Sequence, residues 1–155
     1  MQFQNTIAYG TFFNAGGIFN LVADTWTIFP FAPESKLSKN TNAYTTASEF
    51  RVQVQETGMY FIEFSFVAED GDGKTYFIRP YVNGSVYNNV GEGMTIKFFQ
   101  QQTEQKYEVS THGLFALTKD DIVEWRLSTP VLSSLDLYAN SIKMNIINLQ
   151  QIGVH

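Results

Sequence analysis

The feature that most constrains the fold is an alternation of apolar and polar side chains with a period of two residues. Along residues 60–66, one face carries four large apolar side chains: Tyr60, Ile62, Phe64 and Phe66. Along residues 122–128, one face carries Val123, Trp125 and Leu127. This period is typical of a β-strand, whose successive side chains point to opposite faces of the sheet. We therefore predict that these seven side chains lie in a hydrophobic core.

The same pattern recurs along the chain, and no segment has the period of a helix of three turns. We predict further strands at 7–13, 18–22, 26–29, 50–55, 75–82, 94–100, 106–117, 134–138 and 142–149. Pro80 cannot donate a ladder hydrogen bond and predicts an edge or a bulge in its strand. The polar residues 32–47 predict a long surface loop. So many short strands indicate an antiparallel sandwich or barrel. The two-residue period does not distinguish among the immunoglobulin, jelly-roll and lipocalin folds.

Composition excludes several classes of protein. The 155 residues, 44% of them hydrophobic, suffice for one domain with a substantial core. The formal net charge of −5 and the absence of a Lys/Arg run disfavour binding to nucleic acid. No apolar run is long enough to span a membrane. The sequence also lacks a basic stretch followed by an apolar run, so we predict no signal peptide. The chain has no cysteine, which excludes disulfides, thiolate metal sites and a cysteine nucleophile.

The sequence predicts no catalytic residue and therefore no enzyme. His112 and His155 are the only histidines, and neither has a histidine neighbour at metal-ligand spacing. No Gly-x-Ser-x-Gly motif is present. Adjacent Asp120 and Asp121 resemble paired acids, but neighbouring strand residues point to opposite faces, so a turn is the better interpretation.

One acidic segment is a candidate calcium site. Asp70 and Asp72 lie among glycines in residues 69–74, and carboxylate oxygens on a bent backbone are what calcium prefers. The segment lacks the spaced ligands and closing glutamate of a twelve-residue calcium loop. The favoured interpretation is a solvated hairpin loop, so we predict no metal ion and no cofactor.

Two stretches resemble a known superfamily. Residues 50–66, FRVQVQETGMYFIEFSF, resemble the complement globular-head and tumour necrosis factor pattern, in which an aromatic strand precedes a Gly-x-Tyr-x-Phe strand. Gly58 and Tyr60 match that motif, and Ile62 stands where the family usually has Phe. Residues 114–123 resemble the family's strand, Gly-Asp turn and next strand, with Asp120 in place of the glycine. Residues 141–147 occupy the place of its closing strand.

The resemblance implies an antiparallel jelly-roll β-sandwich of about ten strands that assembles as a homotrimer. Residues 1–12 would form an N-terminal arm or the first strand, and residues 13–155 would form the jelly-roll domain.

The strand at residues 59–67 gives an independent argument for assembly. Met59 and Phe61 are large apolar side chains on the face opposite the predicted core. A two-layer sandwich buries only one face of each sheet, so the second face needs a partner, and a symmetric copy is the simplest one. We predict that Met59 and Phe61 lie at the trimer interface; the alternative is that they pack under a loop.

A trimer without cysteine or signal peptide fits a virus better than an animal serum protein. We expect a structural protein on the surface of a bacteriophage virion, made in the host cytoplasm. It would be a capsid decoration or cement protein or a head fibre, binding capsid or tail proteins. The alternatives are a tail or fibre tip that recognises a host surface glycan or protein, and a complement-like secreted or spore-surface domain of a bacterium. Binding to nucleic acid or membrane is not expected.

Overall fold

The computed structural model describes residues 8–44, 48–69, 75–87, 96–99, 106–137 and 141–149. Within these ranges the chain forms fourteen β-strands and no α-helix. The strands are β1 Tyr9–Asn14, β2 Ile18–Leu21, β3 Thr27–Ile28, β4 Glu34–Lys39, β5 Thr41–Ala43, β6 Arg51–Val54, β7 Gly58–Glu69, β8 Thr75–Val82, β9 Ser85–Val86, β10 Ile96–Phe99, β11 Lys106–Leu117, β12 Ile122–Ser128, β13 Ser133–Leu137 and β14 Ile142–Asn148. In these ranges no helix is long and apolar enough to cross a membrane.

The strands form two antiparallel sheets. Sheet A has the order β2-β13-β7-β14-β1-β4, with β11 paired to β7. Sheet B has the order β10-β8-β12-β6-β5, with β3 paired to β12 and β9 paired to β8. The predicted all-β, antiparallel fold is confirmed.

Strand β7 is the centre of sheet A. One of its edges pairs along its whole length, Gly58–Glu69, with β11. The other edge pairs with β14 over residues 60–65 and with β13 at residues 68–69. Strand β1 lies beyond β14, and the predicted domain boundary between residues 12 and 13 falls inside β1, where Phe12 and Phe13 both pair with β14.

The core lies between the sheets and is mainly aromatic. Phe64 of sheet A stacks on Trp125 of sheet B, with ring centroids 5.5 Å apart and planes inclined by 11°. Phe29 lies 5.0 Å from Phe64 and 5.2 Å from Phe66, and Phe115 lies 6.0 Å from Trp125. Burial of such large rings gives the main stabilisation of the sandwich. The structure buries all seven side chains expected in the core: Tyr60, Ile62, Phe64, Phe66, Val123, Trp125 and Leu127.

Two local predictions were wrong. The segment 32–47 is not only a loop, because β4 and β5 lie within it. Every residue of β4 is exposed, so the strand has no apolar alternation by which the sequence could reveal it.

Pro80 lies at neither a sheet edge nor a bulge. Strand β8 has β10 on one side and β12 on the other, and its register with β12 runs without a shift from Phe77 to Val82. On the side away from β12, the described residues pair with β8 from β10 at Thr75 to Ile78 and from β9 at Tyr81 and Val82. The carbonyl of Pro80 accepts a hydrogen bond from the Tyr87 amide on that side. A strand residue's amide and carbonyl point the same way, so the missing N–H of Pro80 faces the Tyr87 side and not β12.

Asp120 lies in the turn between β11 and β12. Asp120 has φ of 76°, in the left-handed region where glycine is favoured and aspartate is tolerated. Its amide donates to the Val54 carbonyl at 2.8 Å, which ties the turn to β6. The turn predicted at Asp120 is therefore present.

The Gly-x-Tyr motif has a packing reason. A Cβ added to Gly58 would lie 2.5 Å from Nδ2 of Asn148, a buried residue of β14. Two residues later, the buried Tyr60 hydroxyl donates to the Glu56 carbonyl at 2.5 Å. Burial raises the pKa of the Tyr60 phenol above its ordinary value, so the hydroxyl remains a donor.

We predict that Gly58→Ala lowers the free energy of unfolding by about 1–3 kcal/mol, because the new methyl overlaps the Asn148 amide. Urea unfolding measures the change. The matched variants are Asn148→Ala and the double variant. If the overlap is the cause, the double variant loses less stability than the sum of the two single losses. Strict additivity would contradict this explanation.

Candidate self-association surface

The outer face of sheet A begins with the alternation of β7. Inward residues such as Tyr60 and Ile62 are buried, so Met59 and Phe61 must point away from the core. The strand register then fixes their neighbours. Phe61 lies opposite Leu114 of β11 on one side and opposite Ile147 of β14 on the other.

These residues form an apolar patch, defined here as Met59, Phe61, Leu114 and Ile147, with Tyr9 at its margin. Met59 is 39% exposed, Leu114 45% and Ile147 41%, and Phe61 between them is half-buried. Tyr9 of β1 lies directly opposite Ile147 of β14. Large apolar side chains that are adjacent on three strands and open to solvent are typical of a protein–protein contact.

The patch is uneven, with a shallow hollow on either side. One hollow of about 270 Å³ is lined by Tyr9, Phe61 and Ile147, together with Gly10, Thr11, Asn145 and Ile146. The other, of about 260 Å³, is lined by Met59 and its neighbours Thr57, Gly58, Ala116, Leu117 and Thr118. Side chains of a partner can fill such hollows, which gives a contact its shape complementarity.

The surface becomes polar along the strands. His112 of β11 and Asn145 of β14 lie opposite Glu63 of β7, one step beyond the apolar patch. The Asn145 amide donates to Glu63 Oε1 at 3.3 Å, and the His112 ring lies 5.6 Å from the Phe61 ring. The outer face therefore has an apolar end and a hydrogen-bonding end.

The structure places both predicted interface residues, Met59 and Phe61, on this face. Asp70 and Asp72, the calcium candidate, lie outside the described residues, so that hypothesis stays a prediction. In the part of the chain that is described, no three His, Cys, Asp or Glu side chains form a group that suits a metal ion.

Sequence reasoning did not identify Leu114 and Ile147 as members of the surface. Their strands were predicted, but which residues of different strands lie side by side depends on pairing between distant segments. The doublet Ile146-Ile147 carried a signal, because adjacent large apolar residues in a strand place one of them on the outer face. The same signal at Met59–Ile62 led to the prediction for β7.

No family model matches this sequence, and no curated protein is significantly similar to it. Solved structures match the fold. The structure of Eiger TNF from S. frugiperda aligns with a TM-score of 0.62 and 13% identity, covering 94% of this chain and 94% of that one.

Two structures of murine APRIL give the same result. At pH 5.0 the TM-score is 0.58 with 14% identity, covering 92% of this chain and 99% of that one. At pH 8.0 the TM-score is 0.59 with 15% identity, covering 91% and 99%. At such low identity the similarity concerns the fold alone. The chain is a TNF-like jelly-roll β-sandwich.

We predict opposite outcomes for two phenylalanines of β7. Phe64→Ala should lower the free energy of unfolding by about 3–5 kcal/mol, because it opens a cavity beside Trp125. Phe61→Ala should keep the near-ultraviolet circular dichroism of the aromatic core, because its ring lies outside that core. Loss of the folded spectrum in Phe61→Ala would contradict the outward position of this side chain.

Proposed function

We propose that the chain is a binding protein that works as a homotrimer, with its copies in contact through the apolar patch on sheet A. The observation that carries the proposal is the position of this patch. Met59, Leu114 and Ile147 are each about two-fifths exposed on the face of sheet A opposite the core.

A second copy of the chain suits this patch for two reasons. The patch itself has no charged side chain, so two identical surfaces can approach without repulsion. The hydrogen-bonding groups of Glu63, His112 and Asn145 lie beside it and can supply a polar rim. A stable contact of this kind buries on the order of 1,200–2,000 Å² in total.

The number three comes from the fold. The TNF superfamily, which the sequence resembles and whose fold the chain has, assembles around a three-fold axis. In an assembly with closed rotational symmetry, every copy's contact surface is buried against another copy, so the assembly stops at a defined size. The trimer would present three copies of every remaining surface to a binding partner.

We predict that Phe61→Asp converts a trimer into a monomer, because three buried carboxylates would be desolvated and would repel one another. Sedimentation equilibrium should give three times the chain mass of 17.6 kDa for the wild type and the mass of a single chain for the variant. The matched control is Val22→Asp, which adds the same charge at an exposed apolar residue outside the patch. A monomeric wild type, or a Phe61→Asp variant of unchanged mass, would refute the trimer.

We further propose that the trimer belongs to a bacteriophage virion, as a capsid decoration or cement protein or a head fibre. The support is compositional: the chain has no cysteine and only 16% charged residues, with a formal net charge of −5. Three sandwiches joined at one face would act by adhesion, with the N-terminal residues 1–12 or an exposed face in contact with the capsid. The alternatives predicted from the sequence, a fibre tip and a bacterial surface domain, use the same trimer.

Electron microscopy of particles labelled with antibodies against the chain separates these roles. We expect label distributed over the capsid or its fibres. Label confined to the tail tip would favour the receptor-binding alternative. Particles without label, from cells that make the protein, would refute a place on the virion.

A further inference from the structure

The sequence contains three arginines, and all three lie on the outer face of sheet B. Arg51 is in β6, Arg79 in β8 and Arg126 in β12. Each is flanked along its strand by a buried residue, so the guanidinium groups project away from the core. This face is distinct from the apolar patch, which is on sheet A.

Two of these arginines are in an unfavourable register. Arg79 and Arg126 lie directly opposite each other across β8 and β12, and like charges in that relation destabilise a sheet. Arg126 is compensated by Glu124, with Nε 2.5 Å from Oε2. Glu124 is also 3.2 Å from Arg51 Nε and is only 2% exposed. For Arg79, the ion pairs among the described residues include no carboxylate partner.

Aromatic rings hold the guanidinium groups in place. The Cζ of Arg79 lies 3.9 Å from the centre of the Trp26 ring, and its Nη2 is 3.2 Å from Tyr81 Oη. The Cζ of Arg126 lies 4.2 Å over the Tyr81 ring. Guanidinium groups fixed in this way lose little freedom when they bind a ligand, so the site is preorganised.

The composition of this face is that of a protein contact. Tryptophan, tyrosine and arginine dominate the energetically important positions of protein interfaces. Beside them, a hollow of about 320 Å³ is lined by Arg51, Asn83, Gly84, Ile122 and Glu124. A guanidinium group can pair with a carboxylate through two parallel hydrogen bonds. The ligand group that best suits Arg79 is therefore a carboxylate.

We propose that the outer face of sheet B binds an acidic segment of a partner protein, with a carboxylate of that segment between Arg79 and Arg126. The bound carboxylate removes the repulsion between the two arginines. The partly exposed Trp26 ring supplies an apolar contact, and the buried Tyr81 ring supports the two guanidinium groups from below. The proposal does not depend on the homotrimer, because the two surfaces are on different sheets.

Fluorescence anisotropy with a labelled oligoglutamate peptide tests the proposal at low ionic strength. The chain carries a formal net charge of −5 and repels such a peptide in general, so binding requires a local cationic site. We expect saturable binding by the wild type and a loss of about tenfold or more in Arg79→Gln.

Two further variants sharpen the test. Lys36→Gln is the matched control, because Lys36 lies 5.0 Å over the Phe13 ring on sheet A and has no part in the site. It should bind as the wild type does. Arg79→Lys keeps the charge but not the fork, and should bind more weakly than the wild type even though its thermal melt is unchanged.

Several results would overturn the proposal. They are the absence of oligoglutamate binding by the folded wild type, equal binding by Arg79→Gln, or an equal loss in Lys36→Gln. Binding of a sulfated oligosaccharide without binding of oligoglutamate would also overturn it, in favour of a glycan ligand. Oligoglutamate binding is also measured in the Phe61→Asp variant. This measurement shows whether the arginine site binds independently of the trimer.

Discussion

The pleat of β7 is the constraint on which the rest of the structure depends. Its inward side chains join the two sheets, most directly where Phe64 of sheet A stacks on Trp125 of sheet B. Successive side chains in a strand point to opposite faces, so Met59 and Phe61 cannot enter the core that contains Tyr60 and Ile62. The strand that holds the sandwich together therefore also leaves an apolar surface outside it.

The two outer faces of the sandwich differ in chemistry because different strands supply them. On sheet A, β11 and β14 add Leu114 and Ile147 beside Phe61, which makes an apolar surface suited to a copy of itself. On sheet B, β8 and β12 bring Arg79 and Arg126 together between aromatic rings, which suits an acidic partner. A trimer closed over sheet A would leave the arginine face of each copy open to a partner.

The failures of sequence interpretation have physical causes. Strand β4 is exposed throughout, so no burial pattern marks it, and it is a strand because β1 offers it a free edge. Pro80 lies inside sheet B because its missing donor faces away from β12, on the side of Tyr87, a detail of pairing that no local rule contains.

The alternation of side chains alone determined that the chain is all β, that seven named side chains of β7 and β12 are buried, and that β7 has two apolar faces. These properties are local, because a strand's period and side-chain directions follow from its own backbone. Tertiary structure decided that Phe61 lies between Leu114 and Ile147, and that Arg79 lies opposite Arg126. Those neighbours are far apart in the sequence, and only the register between strands brings them together.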